Sequence, residues 1–321
     1  MNKILLSIFI LIGINGTTFG QVEDATAVDS TAIAAKFVPI DTVLAIPDSL
    51  IIWKTSGSIN VNLQQIALKN WAAGGNSSIA VGGAIEGSAN YSKNGKIWEN
   101  NVKVGYGMIR NGGEGNEFEK TDDFVILGSK YGQKFSEKIM MTTAVYFRTQ
   151  MDEGRKEQKN ANGEVERLLI SDFMAPGYLQ ASIGLTLSKS ENIFITLSPF
   201  TGRFTFVLND SLSNAGAFGV DPGEYIRSEA GISLQGKFEK EIFQNVKLQA
   251  NGNIFSNYET FPNTAVNVEM IINMKVNNFI SSNISSHLIY DDKVISIEED
   301  GSTSSGIQIK NIINLGFTIG F

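Results

Sequence analysis

The chain has no cysteine and a single histidine, His287. Disulfides, thiolate metal sites and a lipid anchor on an N-terminal cysteine are therefore excluded, and so is a multi-histidine metal centre. Proline is scarce, 6 residues against 32 glycines, which suits extended sheet with many tight turns. Cations are outnumbered: the net charge is -7 and the pI near 5.0, which argues against a nucleic-acid binder with its basic stripe. Beyond the first twenty residues no apolar run approaches the roughly 20 residues a helix needs to span a bilayer. Mean hydropathy is close to zero, at -0.01. A soluble protein gives that average, and so does a membrane barrel whose lipid-facing and lumen-facing residues alternate and cancel.

Met1 to Gly20 reads as a secretory signal, with Lys3 as the positive start, an apolar run from Ile4 to Ile14, and small residues at Thr18 and Gly20 before a cleavage point at Gln21. Residues 21–55 show no sustained period and hold Pro39 and Pro47; they read as an extended, partly disordered periplasmic lead-in. The barrel is expected over 56–321.

What the rest of the chain does have is alternation. In the last stretch Ile307, Ile309, Ile313, Leu315, Phe317, Ile319 and Phe321 occupy one phase, while Gln308, Lys310, Asn314, Gly316, Thr318 and Gly320 occupy the other. A period of two is a strand, and this one is longer than the usual strand of about 5–6 residues. Its aromatic end, Phe321, looks like the signal by which outer-membrane barrels are recognised by their insertion machinery. The same alternation recurs upstream. Ile79, Val81, Ile85 and Tyr91 oppose Ser78, Glu86, Ser88 and Asn90, and Asn94-Gly95 then makes a tight hairpin turn. Lys96–Arg110, Lys138–Met151, Gly177–Ser188, Tyr225–Phe238, Asn245–Asn257, Ala265–Val276 and Phe279–Asp291 follow the same rule. Thr121–Tyr131 is apolar on both phases, so its orientation is not set. Pro199 predicts a bulge or a strand end.

The connections alternate in length. Those at 66–76, 111–120, 152–176, 201–224, 257–264 and 292–306 read as long loops, the last acidic and polar; 201–224 also suits a small folded-back hairpin. Those at 93–95, 132–137, 189–192, 239–244 and 277–278 are short. Wherever the phase is set, the outward middles carry no charge, while Glu86, Glu99, Lys103, Arg148, Arg227, Glu229, Lys247, Glu269, Lys275 and Lys310 fall on the inward phase. Arg or Lys facing lipid at mid-depth costs about 2–4 kcal/mol, whereas a soluble sandwich would keep its charges outside. Tyr91, Trp98, Phe238 and Phe321 at one end and Tyr106, Phe147 and Tyr290 at the other form two aromatic girdles. The expected fold is all-β: a transmembrane antiparallel up-and-down barrel of about twelve strands, with short periplasmic turns and longer extracellular loops. The last strand is expected to close it against Ile59–Leu63.

Leu68-Lys69-Asn70-Trp71-Ala72-Ala73-Gly74-Gly75-Asn76 resembles the signature of an uncharacterised family of Bacteroidota secreted proteins, domain of unknown function 3078. Lys120-Thr121-Asp122-Asp123, Ser198-Pro199-Phe200-Thr201-Gly202 and Leu288-Ile289-Tyr290-Asp291-Asp292 are similar to its later blocks. The resemblance implies an outer-membrane barrel of unsettled role and carries over no catalytic residue.

Four features invite a functional reading beside a plain one. Ser285, Ser286 and His287 share a strand, and twelve-stranded outer-membrane phospholipases use Ser and His on their lipid-facing surface; by phase, however, Ser285 and His287 face the lumen and only Ser286 faces lipid, so a lumen hydrogen-bond network is the plainer role. Asn70–Asn76 reads as a ligand loop or as a packed turn anchored by Trp71. Asp291-Asp292 with Glu298-Glu299-Asp300 reads as a calcium site or as a solvated acidic loop; its spacing matches no defined calcium loop. The lumen charges either line a solute path or pair and fill the barrel, since about eight strands give a filled barrel and sixteen an aqueous channel. No catalytic, cofactor or metal residue is assigned. The expected function is a binding or transport barrel in the outer membrane for a small or apolar solute. A structural or assembly component of the envelope is the alternative, and a lipid hydrolase a third. The expected partners are outer-membrane lipid and, through the strand ending at Phe321, the insertion machinery.

Overall fold

A computed structural model describes residues 52–66, 77–112, 117–159, 165–190, 192–261, 264–277, 280–292, 296–297, 303–304 and 307–320. The strands are β1 (Ile52–Ile66), β2 (Ser78–Lys93), β3 (Lys96–Asn111), β4 (Glu119–Lys134), β5 (Ile139–Thr149), β6 (Gly154–Lys159), β7 (Val165–Ser171), β8 (Gly177–Ser190) and β9 (Ile193–Phe206). A short helix, α1 (Asp210–Asn214), then precedes β10 (Ile226–Phe243), β11 (Val246–Asn257), β12 (Thr264–Lys275), β13 (Ile280–Asp291), β14 (Ser296–Ile297), β15 (Thr303–Ser304) and β16 (Gln308–Gly320). Twelve of them close into one antiparallel ring, in the order β1-β16-β13-β12-β11-β10-β9-β8-β5-β4-β3-β2. The four others pair as two small hairpins, β6 with β7 and β14 with β15. β1 begins four residues before the boundary read from the alternation, at Ile52.

Each ring strand is long because it must cross an apolar layer, and each alternates because its two faces meet different surroundings. The outward phase is oily: Ile59, Val61 and Leu63 on β1, Ile183, Leu185 and Leu187 on β8, and Ile309, Ile313 and Phe317 on β16 are all exposed. The inward phase is polar, and on β8 Gln180, Ser182 and Thr186 are buried. This inverts a soluble core and fits a barrel standing in lipid. Asn94 and Gly95 join β2 to β3 with φ of 51° and 70°, the double positive φ that a two-residue hairpin requires. Closure runs as the terminal alternation predicts, with Ser58 opposite Gly320, Val61 opposite Phe317 and Asn62 opposite Gly316. Ring closure leaves no free edge to template aggregation. Phe321, the lead-in to 51 and the signal stretch lie outside the described residues.

Three expectations need correction. The stretch 152–176 is not all loop: β6 and β7 form a hairpin within it, Arg155 facing Leu169 and Glu157 facing Arg167. β6 is polar and charged throughout and β7 does not alternate, because no membrane imposes a period on them. The stretch 201–224 is not all loop either, nor a hairpin, since β9 runs through Pro199 to Phe206 before α1 and a 3-10 turn at Ala217–Gly219. The loop 292–306, too, contains the short β14–β15 ladder.

Pro199 does make a bulge. On the β8 side Ile183 faces Phe200 and Leu185 faces Leu197, and on the β10 side Gly231 faces Thr201 and Ser233 faces Ser198. One extra β9 residue is thus accommodated against both neighbours. The bulge is held from above by Tyr258, whose hydroxyl donates to the Pro199 carbonyl at 2.5 Å, and from within by Thr201 Oγ1, which donates to the Ser198 carbonyl at 3.0 Å.

The aromatic girdle at the turn end is continuous across four strands. Trp53 pairs with Tyr91, Tyr91 with Trp98, and Trp98 with Tyr131. The Trp53 ring lies 5.3 Å from Tyr91 and 5.9 Å from Trp98, within the range of favourable tilted aromatic pairs.

Candidate functional site: the barrel lumen

The lumen has two unlike walls. On the side made by β5, β8, β9 and β10 the inward side chains are buried against one another. Thr142, Thr186 and Thr196 form a hydroxyl ladder over three strands at 2.7 and 2.8 Å. Thr201 and Ser233 continue it at 2.9 Å beside the Pro199 bulge. Ile126, Tyr146 and Tyr178 pack with Phe124 into an inward apolar cluster, and Ile97, Met140 and Phe194 form a second. The first explains why the alternation of β4 is unreadable: Ile126 and Phe124 face a filled lumen, while Leu127 and Tyr131 face outward.

On the side made by β13, β16, β1 and β2 many inward residues are small, among them Ser58, Asn60, Ala84, Ser88, Ser285 and Gly316, beside the larger Glu86, His287, Lys310 and Ile312. They remain partly accessible rather than buried. Small residues leave space, and their hydroxyls and amides can exchange hydrogen bonds with water. The closing seam lies on this wall and is stitched from inside: Ser281 Oγ meets Thr318 Oγ1 at 2.6 Å, and Thr318 Oγ1 donates to Asn60 Oδ1 at 2.6 Å.

Several of the lumen charges are paired. At the loop end Arg203 on β9 bridges Glu229 on β10 at 2.7 Å and Asp291 on β13 at 2.9 Å, and its guanidinium stacks 4.9 Å from the Phe255 ring centroid. Arg227 approaches the same Glu229 at 3.3 Å, and Asn257 Nδ2 donates to its other oxygen at 3.3 Å. Such a triad is tolerable away from water only because its charges are paired and hydrogen-bonded to one another. Lys103 meets Glu86 at 2.6 Å, and Lys310 stands 3.7 Å from Asp122 on a non-adjacent strand. At the turn end Glu239 lies between Lys237, at 3.1 Å, and Lys247, while Glu99 and Lys130 sit opposite each other on β3 and β4.

The rim above the filled wall is ordered by its own contacts. Ala175, Val207, Leu212, Phe218 and Val220 make a small apolar core beyond the ends of β8 and β9. Asn209 caps α1 by accepting from the Ser211 and Leu212 amides, and its Nδ2 donates to Asp172 at 2.9 Å. Next to it Lys120 bridges Asp123 at 3.0 Å, and Asp123 accepts from the Met151 and Asp152 amides at 2.9 and 2.8 Å. Tyr106 donates to Asp152 Oδ2 at 2.7 Å, a bond to the ionised form that holds the Asp152 carboxyl below the usual carboxylate range. The block Lys120–Asp123 is thus a clamp that fixes where the β6–β7 hairpin leaves the barrel.

The sequence candidates resolve unequally. His287 faces the lumen, its Nε2 2.9 Å from Asn267 Oδ1. Ser285 shares that face, while Ser286 points outward with Ile284. The strand therefore parts Ser286 from His287 and assembles no lipid-facing Ser–His pair. Asp291 is committed to Arg203, and Asp292 accepts from the Thr264 amide at 2.9 Å and from Tyr290. Among the described residues no group of three or more His, Asp or Glu is placed to hold a metal; Glu298–Asp300 and the Asn70–Asn76 loop lie outside them. The sequence did not single out Lys130, Arg203 or Glu239. Lys130 lies on the strand of unreadable phase, and Arg203 beyond Pro199 in a stretch read as loop.

Among curated proteins no match is found. The chain is similar to solved barrels. With an outer membrane channel from Pseudomonas putida F1 it shares 12% identity and a TM-score of 0.42, over 88% of this chain and 100% of that one. With the translocator domain of the autotransporter NalP from Neisseria meningitidis it shares 8% and 0.37, over 88% and 91%. With the β domain of the Bordetella autotransporter BrkA it shares 10% and 0.36, over 84% and 99%. Residues 63–154, which run from the end of β1 to the start of β6 and include the Lys120–Asp123 clamp, match the family described as protein of unknown function, DUF3078.

Proposed function

We propose that this protein stands in the outer membrane and passes small polar solutes along the β13–β16–β1–β2 wall of its lumen. One observation carries the reading: the inward side chains of the β5–β8–β9–β10 wall are packed and buried, and the opposite wall, with many Ser, Asn, Ala and Gly residues, stays partly accessible. A barrel meant only as a rigid anchor has no reason to segregate its lumen this way. The uncharged oily exterior and the aromatic row at the turn end support residence in lipid. In this reading residues 1–20 are removed on export, 21–55 lead into the barrel from the periplasm, and the terminal strand ending at Phe321 is what the insertion machinery binds. The short turns then face the periplasm and the β6–β7 hairpin faces outward.

Purified protein reconstituted in a planar bilayer tests the channel reading. Discrete conductance steps are expected, and a preparation that is folded by heat-modifiable gel mobility yet passes no current overturns it. The same mobility assay on outer-membrane fractions tests the location; a soluble protein with no shift overturns that. Removing Phe321 is expected to lower the amount in the outer membrane without lowering export, and unchanged levels would count against the role given to that residue.

A further inference from the structure

The chain is acidic overall, with a net charge of -7, yet the turn-end half of its lumen presents ammonium groups. Lys130 and Lys237 lie inside this half, and Lys247, Lys275 and Lys54 follow toward the mouth on the inward phases of β11, β12 and β1. Glu99 and Glu239 oppose them. The two carboxylates do not face the passage, being only 4% and 5% exposed. Lys247 keeps 40% of its side chain exposed although it is bound to Glu239, and Lys54 and Lys275 are exposed. A third carboxylate, Glu241 at the rim, accepts from the Asn245 amide at 2.9 Å and is tied into the hairpin turn. Arg203 and Lys310 toward the loop end and Lys103 at mid-height also have acidic partners, as Lys237 and Lys247 do in Glu239.

We infer that this lysine-lined mouth makes the channel select for anions, so that its solutes are small anionic molecules. The inference rests on the channel reading and names its substrate class. The physics is that of a charged constriction. Ammonium groups in a confined passage raise the local concentration of counter-ions and repel co-ions, and low-dielectric walls strengthen the effect. Glu99 and Glu239 are buried together with Lys130 and Lys237, so the side chains the permeating ion meets in this half are those of Lys54, Lys247 and Lys275.

The test is the reversal potential of the reconstituted protein in a KCl gradient, at an ionic strength low enough that screening does not erase the field. Reversal displaced toward the chloride equilibrium potential is expected. The double variant Lys247→Glu and Lys275→Glu changes two accessible side chains and should move reversal toward potassium by severalfold in permeability ratio. Heat-modifiable mobility of wild type and variant confirms that both barrels are formed. Current that reverses at zero or toward potassium in the wild type overturns anion selection and leaves the channel reading standing, and a folded double variant with unchanged reversal does the same. Absence of current from a folded wild type overturns both.

Discussion

Gly184 on β8 lies so close to Leu197 on β9 that a methyl group added to it would stand 2.2 Å from the Leu197 carbonyl oxygen and 2.5 Å from the Ser198 Cα. Both obstacles are backbone, so no rotamer change relieves them. Gly231 mirrors this on the other flank, where an added methyl would meet the Ser256 carbonyl oxygen at 2.2 Å. Gly184 thus lets β8 close in on the Pro199 bulge, and Gly231, opposite Thr201, lets β10 close in on β11 beside it. Gly184→Ala is expected to destabilise the barrel by about 1–3 kcal/mol, the usual cost of forcing volume into a packed site. Gly236→Ala, where nothing lies within 4 Å, is expected to be neutral. Denaturant unfolding in detergent, followed by gel mobility, compares the two; equal stability would refute the seating.

The Arg203–Glu229–Asp291 triad should respond unlike the exposed pairs. Glu229 is buried to 2% side-chain exposure, whereas Glu86 in the Lys103 pair keeps 39%. Removing one partner of a buried pair strands the other charge at a cost of about 3–5 kcal/mol, against about 0–1 kcal/mol for an exposed one. Glu229→Ala is expected to lower the unfolding midpoint clearly and Glu86→Ala hardly at all. A similar loss in both would mean that the triad is hydrated.

Asp152 predicts an acid-sensitive rim. Its carboxyl is held below the ordinary range by the Tyr106 hydroxyl and the Glu153 amide. A depressed pKa contributes stability that is fully present above the unfolded value and lost as pH falls through the folded one, below about 4. Protease cleavage within the β6–β7 hairpin is expected to rise in that acid window. Asp152→Asn should show the raised cleavage at neutral pH. If it cleaves like the wild type, the Tyr106 bond does not anchor the hairpin.

The row Trp53–Tyr91–Trp98–Tyr131 should sit at a headgroup boundary. In a Trp71→Phe background, which leaves Trp53 and Trp98 as the only tryptophans of the three, fluorescence is expected to be quenched more by lipids brominated near the carbonyls than by lipids brominated at the chain ends. The reverse order would place the row deep in the hydrocarbon and contradict the girdle.

The sequence made the ring legible where two solvents read the two faces of one strand. That condition holds for β2, β8 and β16, whose phases the structure reproduces. It fails for β4, because Phe124 and Ile126 turn inward onto Tyr146 and Tyr178 and the lumen there is as apolar as the exterior. It fails again for β6 and β7, which stand outside the membrane-crossing ring. The pairing of lumen charges was not legible at all. Arg203 and Asp291 are 88 residues apart, and only the closed ring brings β9 and β13 into reach. The blocks read as family signatures have a physical account in two cases: Lys120–Asp123 clamps the rim and Ser198–Gly202 forms the bulge.

The ring has an even number of strands, twelve, so Ile52 and Gly320 leave from the same rim and on neighbouring strands. The closed wall therefore has no intrinsic first strand. A chain reopened at Asn94-Gly95, with its old ends joined across the seam beside Ser58 and Gly320, would retrace the same circle with its hydrogen-bonded neighbours unchanged. Such a circular permutant separates what the barrel needs for its shape from what the order of synthesis contributes to its making.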